Sequence, residues 1–247
     1  MMGPVQVFHR CVMSRIDESR PFLSVNIAIL TVSDSRTPET DKSGDTLAER
    51  VIASGHRVAG RTIVPDDVTR ITAQLKRWIA DAEIDVVLAT GGTGVTGRDV
   101  TPEAFQSVYE KEIPGFGELF RQLSYAKIGT STMQSRATGG VARGTYLFAL
   151  PGSPSACRDA WDDILRWQLD SRLRPCNLVE LMPRLMEHIK APVPAASFSY
   201  WMVESSWPAA VSTPRICSTS SFCAKLNVVL SPPMKSTPKS FSPRVKP

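Results

Sequence analysis

Asp66, in the stretch TIVPDD, and Asp99, in GGTGVTGRDVTP, are the acidic residues of this 247-residue chain best placed to do chemistry. Each follows a short apolar run, and Asp99 lies just beyond Gly91, Gly92, Thr93 and Gly94. Glycines between a strand and a helix let backbone N–H groups come close to a phosphate. Carboxylates beside such a loop suit a magnesium ion that bridges phosphate oxygens. Pro151, Gly152 and Ser153, in LPGSPS, make a second loop of this kind, and Asp34-Ser35-Arg36 with Ser43-Gly44 makes a third. Together they suit a nucleotide bound with magnesium. Taken singly, Asp99 better suits a helix start and Asp66-Asp67 a turn; the clustering shifts the balance toward a ligand.

Other chemistries fit less well. The glycine loop lacks the Lys-Ser or Lys-Thr of a P-loop. Gly92-x-Gly94-x-x-Gly97 spells the dinucleotide fingerprint, which also needs an acidic residue about 20 positions on, at the end of the next strand. Glu110 and Glu112 fall in or beside a predicted helix instead. His9, His56 and His188 are too scattered for a zinc site or a nucleophilic triad. The five cysteines show no CxxC spacing and read as reduced thiols. No apolar run approaches the roughly 20 residues of a membrane span, so a cytoplasmic protein with no membrane partner is expected.

The elements that must position these residues alternate between strand and helix. SVNIAILTVSDS reads as a strand and SGDTLAERVIASG as a helix opening at Ser43; RVAGRTIVPDD is a second strand, and ITAQLKRWIADAE a helix with Ile71, Leu75, Trp78 and Ile79 on its core face. Val86 to Thr90 form a third strand, followed by a helix from near Thr101 with Pro102 at its first position. PGFGELFRQLSYAKIG is helical, Gly139-Gly140 suggests a turn between short strands, and TYLFALPGSPSACRDAWDDILRWQL repeats strand, loop and a helix from near Ser155. Such alternation implies an α/β fold with a mainly parallel sheet covered on both faces, with ligands at the carboxyl ends of its strands.

Residues 1–21 carry no periodic pattern and read as a loose arm, and 22–190 as the domain. From Ala191 the composition shifts to nine prolines and fifteen Ser or Thr in 57 residues, with LNVVL (226–230) the only strand-like island. A disordered tail is expected there. The net charge of +5 resides in it, where Arg215, Lys225, Lys235, Lys239, Arg244 and Lys246 face Glu204 alone. The domain is therefore neutral, and the basic balance does not argue for nucleic acid.

TGGTGVTGRDVTPEA, PGFGELFR, GTSTMQSRA and LPGSPSACRDAWD, with LTVSDSRTPETDKSG and RPCN, resemble the MoaB/MogA family of molybdenum cofactor biosynthesis proteins over about Asn26 to Asn177. The resemblance implies a three-layer α/β sandwich around a mixed, mainly parallel sheet, and other proteins of that pathway as partners. It also implies a homo-oligomer, a hexamer rather than a trimer because GTSTMQSRA and RPCN look closer to the MoaB branch. The activity implied is adenylylation of molybdopterin by MgATP, with Asp66 and Asp99 matching the two aspartates associated with it. Some MoaB proteins lack both and are thought inactive; this sequence keeps them. A non-catalytic molybdopterin carrier is the alternative. Gly91 to Gly94 and Pro151 to Ser153 then serve phosphate and pterin, with Ser35, Ser43 and Arg136 as further ligand contacts.

Overall fold

A computed structural model of the protein describes residues 15–187. The segment read as a tail, with LNVVL, lies outside the described residues. In chain order the elements are β1 (Arg15–Ile16), β2 (Asn26–Val32), α1 (Lys42–Ala53), β3 (Arg57–Val64), α2 (Val68–Ile79), β4 (Val86–Thr90), α3 (Thr101–Gln106), β5 (Lys111–Glu112), α4 (Pro114–Ile128), β6 (Thr138–Ala142), β7 (Thr145–Leu150), α5 (Pro154–Ala160), α6 (Arg166–Gln168), β8 (Leu173–Arg174) and α7 (Leu178–Leu181). A π-turn at Trp161–Leu165 joins α5 to α6.

Six strands form one sheet in the order β3-β2-β4-β7-β6-β5. β3, β2, β4 and β7 run parallel, and β6 and β5 complete the sheet antiparallel. β4 and β7 are buried along their whole length and β2 along all but its first residue. That is why these strands read as continuous apolar runs and not as alternations. β3, at the edge, does alternate, exposing Arg57, Ala59 and Arg61.

The two-residue period of a strand distributes the core into two layers. Ile27 and Ile29 of β2 pack with Leu47 and Val51 of α1, Phe116 and Phe120 of α4, and Trp161. Ala28, Leu30 and Val32 point the other way, to Ile71 and Leu75 of α2 and Phe105 of α3. The result is the expected α/β sandwich of three layers. No helix among the described residues is long and apolar enough to cross a membrane.

Three local expectations change. Arg15–Ile16 pair antiparallel with Leu173–Arg174, and the Ser171 hydroxyl accepts from Leu23 N and donates to Pro21 O, so the arm is fastened from Arg15 onward. Gly139 and Gly140 lie inside β6, and the turn falls at Arg143-Gly144, both with positive φ. Those two glycines are there for space: a Cβ would stand 2.8 Å from the Phe148 ring at Gly139 and 2.4 Å from the Tyr109 ring at Gly140. Helix α1 is capped by Asp41, whose side chain accepts from Gly44 N, and so opens at Lys42 and not at Ser43.

His56 is buried just before β3, between the rings of Phe22 and Trp161. Its Nδ1 accepts from Val25 N at 3.3 Å, which requires that nitrogen to be deprotonated. Burial holds its pKa below the ordinary 6.5, against the partial opposition of Asp170. The unfolded chain therefore takes up this proton more readily than the native one, so stability is full above about pH 6.5 and falls as pH drops below it. Urea midpoints between pH 7 and pH 5 should decline less in His56→Gln than in the wild type. Parallel declines would show that His56 does not contribute.

Candidate functional site

The parallel register brings four strand ends to one edge of the sheet. Val32 pairs with Val64, Thr31 with Thr90, and Thr90 with Leu150. The loops that follow are stitched by main chain: Ser33 N donates to Val64 O at 2.9 Å and Gly91 N to Leu150 O at 3.0 Å. Gly91, at φ +107°, lies so close to β2 that a Cβ would stand 2.1 Å from the Val32 carbonyl oxygen. Gly152 rests on it, with a Cβ position 3.2 Å from the Gly91 Cα. Thr101 closes the loop, donating from N to Gly92 O at 3.0 Å and from Oγ1 to Gly91 O at 2.8 Å.

Both predicted aspartates border this loop. A Cβ on Gly92, at φ +62°, would be 2.7 Å from Asp66 Oδ1, and one on Gly94 would be 2.7 Å from Asp99 Oδ2. Asp99 is held in place by Thr96, whose N and Oγ1 donate to Oδ2 at 2.8 and 2.6 Å. These bonds, the hydroxyl first, hold its carboxyl below the ordinary carboxylate value. Asp66 is shifted upward, first by burial and then by repulsion from Asp34, with Asp99 adding to it and Arg98 opposing. No Lys or Arg among the described residues forms an ion pair with Asp66. No group of three or more metal-ligating side chains stands together among the described residues; Asp66 is half-buried and short of a cation, and magnesium needs only one or two protein carboxylates when phosphates supply the rest.

A cavity of about 440 Å³ opens on Gly92, Gly94 and Asp99, with Pro151, Lys127 and Ser135 among its other walls. Ser153 also faces it, while its hydroxyl caps α5 by accepting from Ala156 N at 3.1 Å. A second cavity, of about 690 Å³, lies between the loop after β2 and the end of β3 and is lined by Asp34, Arg36 and Arg61. Thr90 Oγ1 anchors the base of the Pro151 loop at 3.1 Å from its carbonyl oxygen, above the buried Cys157 thiol, whose pKa burial raises to about 11.

Of the residues expected to touch ligand, Gly92, Thr93, Gly94, Asp99, Pro151, Gly152 and Ser153 line the first cavity. Asp66 stands across Gly92, and Gly91 is buried as the spacer beneath. Ser35 is exposed on the loop after β2. Two of the expected contacts are engaged within the protein. Ser43 is fully buried, with its hydroxyl against the Arg36 guanidinium. Arg136 spends its guanidinium on Gly94 O at 2.6 Å, Asp99 O at 2.5 Å and Glu103, bracing the loop from behind. A Cβ on Gly97 would meet nothing within 4 Å, so the third glycine of the dinucleotide pattern has no close packing to satisfy.

The sequence reading missed Asp41. Its carboxylate is fully buried and receives Thr31 Oγ1 at 2.6 Å, Gly44 N at 3.0 Å and Arg61 Nη2 at 2.9 Å, with Arg36 Nη1 at 3.4 Å. Burial alone would raise its pKa, but these partners outweigh it and hold the group ionised. Arg36 reaches on to Gly152 O at 2.7 Å, so one buried charge ties the loop after β2 to the loop after β7. An aspartate three residues before a helical glycine signals a cap; its burial could not be seen.

A family profile described as a probable molybdopterin-binding domain matches residues 28–171. The chain is 50% identical over 159 residues to molybdenum cofactor biosynthesis protein B of Escherichia coli K12, covering 64% of this chain and 94% of that protein. The chain belongs to the MoaB/MogA family. A crystal structure of a molybdenum cofactor biosynthesis protein B shares its fold at TM-score 0.62 and 40% identity, over 68% of this chain and 99% of the other. The tungsten cofactor synthesizing protein MoaB of Pyrococcus furiosus does so at TM-score 0.52 and 32% identity, over 68% and 98%. The MoaB/MogA sandwich accounts for the mixed sheet, and a role in molybdenum cofactor biosynthesis follows from the family.

Asp41→Ala should lower stability by about 2 kcal/mol, because it uncaps α1 and leaves the buried Thr31 hydroxyl and the half-buried Arg36 without their acceptor. Chemical denaturation measures this. A loss below about 1 kcal/mol, the scale of an exposed pair, would mean that the network does not hold the loops.

Proposed function

We propose that this protein adenylylates molybdopterin, using MgATP and releasing pyrophosphate. The observation that carries the proposal is the placement of Asp66 beside Gly92 and of Asp99 beside Gly94, with Asp99 facing the 440 Å³ cavity. The family's description supports molybdopterin as the ligand. The aspartates support the chemistry.

A terminal phosphate is largely ionised at neutral pH and needs no general base to attack the α-phosphorus of ATP. The difficulty is bringing two polyanions together in line. Residues already fixed before ligand arrives do this best, because they need not reorganise during the reaction. Thr96 fixes Asp99, the Val32 contact fixes Gly91, and Arg136 braces Gly94 and Asp99 through their carbonyls. Asp66 and Asp99 would hold magnesium, which when bound neutralises charge on the phosphate oxygens. Gly92 to Gly94 and Pro151 to Ser153 would accommodate phosphate and pterin. A homo-oligomer belongs to the same proposal: Tyr125, Ile128 and Met133 stand exposed, Ile128 at the cavity wall, and a monomeric mass in sedimentation at micromolar concentration would remove it.

The purified protein, given molybdopterin and MgATP, should form adenylylated molybdopterin and pyrophosphate in equal amounts. Asp99→Ala should reduce turnover by at least about 100-fold, the scale of a lost preorganised electrostatic contact, with an unchanged melting temperature. Asp66→Ala should act in the same direction, less completely if Asp67 substitutes. Molybdopterin binding without pyrophosphate release would instead identify a carrier.

A further inference from the structure

Three arginines surround the glycine loop, and two are committed. Arg36 is held by Asp41, Ser43 and Gly152 O; Arg136 by Gly94 O, Asp99 O and Glu103. Arg98 differs. Its side chain is 67% exposed, and its partner is Asp34, itself 46% exposed, at 3.1 Å from Nε and 2.5 Å from Nη2. No carbonyl or buried acid holds it. Exposed pairs of this kind are weak and readily exchanged. Arg98 is also beside the chemistry: Asp99, the next residue, lines the first cavity, Asp34 lines the second, and the Arg98 charge acts on Asp66.

We infer that Arg98 is the group that takes the β- and γ-phosphates of the nucleotide, with Asp34 as the counter-ion that holds it until the nucleotide arrives. The inference rests on the adenylyl-transfer reading. In that reaction an oxygen of the molybdopterin phosphate forms a bond to the α-phosphorus. The bond from that phosphorus to the α–β bridging oxygen breaks, and pyrophosphate leaves with the electron pair. Negative charge therefore grows on the leaving phosphates. Arg98 is the one cation on this loop whose guanidinium can turn to meet it, and its fork of N–H donors matches phosphate oxygens. The exchange loses one exposed ion pair and gains a contact to a more highly charged anion. It also leaves Asp34 free to repel product, which aids release.

The two residues should act with opposite sign. Calorimetry on the full chain would measure MgATP, magnesium pyrophosphate and molybdopterin binding in the wild type, Arg98→Ala, Arg98→Lys and Asp34→Asn. Asparagine at 34 can still accept the Asp66 N–H that Asp34 Oδ1 receives at 3.1 Å, so the loop keeps that contact. Arg98→Ala should weaken MgATP and pyrophosphate about tenfold, the scale of one charge-assisted contact, and leave molybdopterin binding as it was. Arg98→Lys should recover most of the loss. Asp34→Asn should tighten both phosphate ligands by about two- to fivefold, since Arg98 no longer has to leave a partner. If Asp34→Asn weakens them as Arg98→Ala does, the pair is a loop brace and the inference is overturned. Unchanged binding in Arg98→Ala overturns it too. Wild-type protein that binds molybdopterin but neither phosphate ligand defeats the adenylyl-transfer reading, and this inference with it.

Discussion

Everything at the candidate site depends on how closely the chain turns after β4. The Gly91 Cα is pressed against the carbonyl of Val32, with no room for a side chain, and Gly152 is laid against Gly91 from the other side. Three strand ends thus share a space that only backbone can fill. The consequence is geometric: the loop after β4 stays low, Gly92 and Gly94 pass beside Asp66 and Asp99, and the cavity remains open above. A side chain at Gly91 would push the loop off β2 and separate the carboxylates that give the site its charge.

Charge is arranged in layers around that contact. Deepest lies Asp41, kept ionised by Thr31, Gly44 and two arginines, so that a buried anion organises the loop after β2 and, through Arg36, the Gly152 carbonyl. Above it, Arg136 braces the glycine loop from outside the cavity. At the surface, Asp34 and Arg98 form an exposed pair beside Asp66. The gradient from buried to exposed matches a gradient from fixed to exchangeable. A reaction between two polyanions needs both, a rigid frame to align the phosphates and mobile countercharge to meet them.

Much of this was legible in the sequence because the signals were local. Val86 to Thr90 read as a buried strand since a central parallel strand is apolar on both faces; the glycines after it read as room for a phosphate, whereas Gly91 makes room for the Val32 carbonyl. Pro102 marked the first turn of α3, and α5 opens at Pro154, one residue before the expected start near Ser155. What the sequence concealed depends on contacts distant in the chain. Gly139-Gly140 looked like a turn because the rings of Phe148 and Tyr109, which require those glycines, come from other elements. Ser43 and Arg136 looked like ligand contacts because their partners, Arg36 and the carbonyls of Gly94 and Asp99, could not be anticipated. The pairing of Arg15–Ile16 with Leu173–Arg174 spans nearly the whole domain, and two residues carry no periodicity to announce it.

The central claim is that Asp66 and Asp99 make one divalent-cation site serving phosphates bound over the Gly91–Gly94 loop. It is tested most directly by a crystal structure with Mn²⁺, used for its anomalous signal, and a non-cleavable α,β-methylene analogue of ATP. The expected result is one anomalous peak bonded to both carboxylates, with the phosphates above Gly92 and Gly94. A cation bound away from these aspartates, or a nucleotide seated elsewhere on the protein, would contradict it.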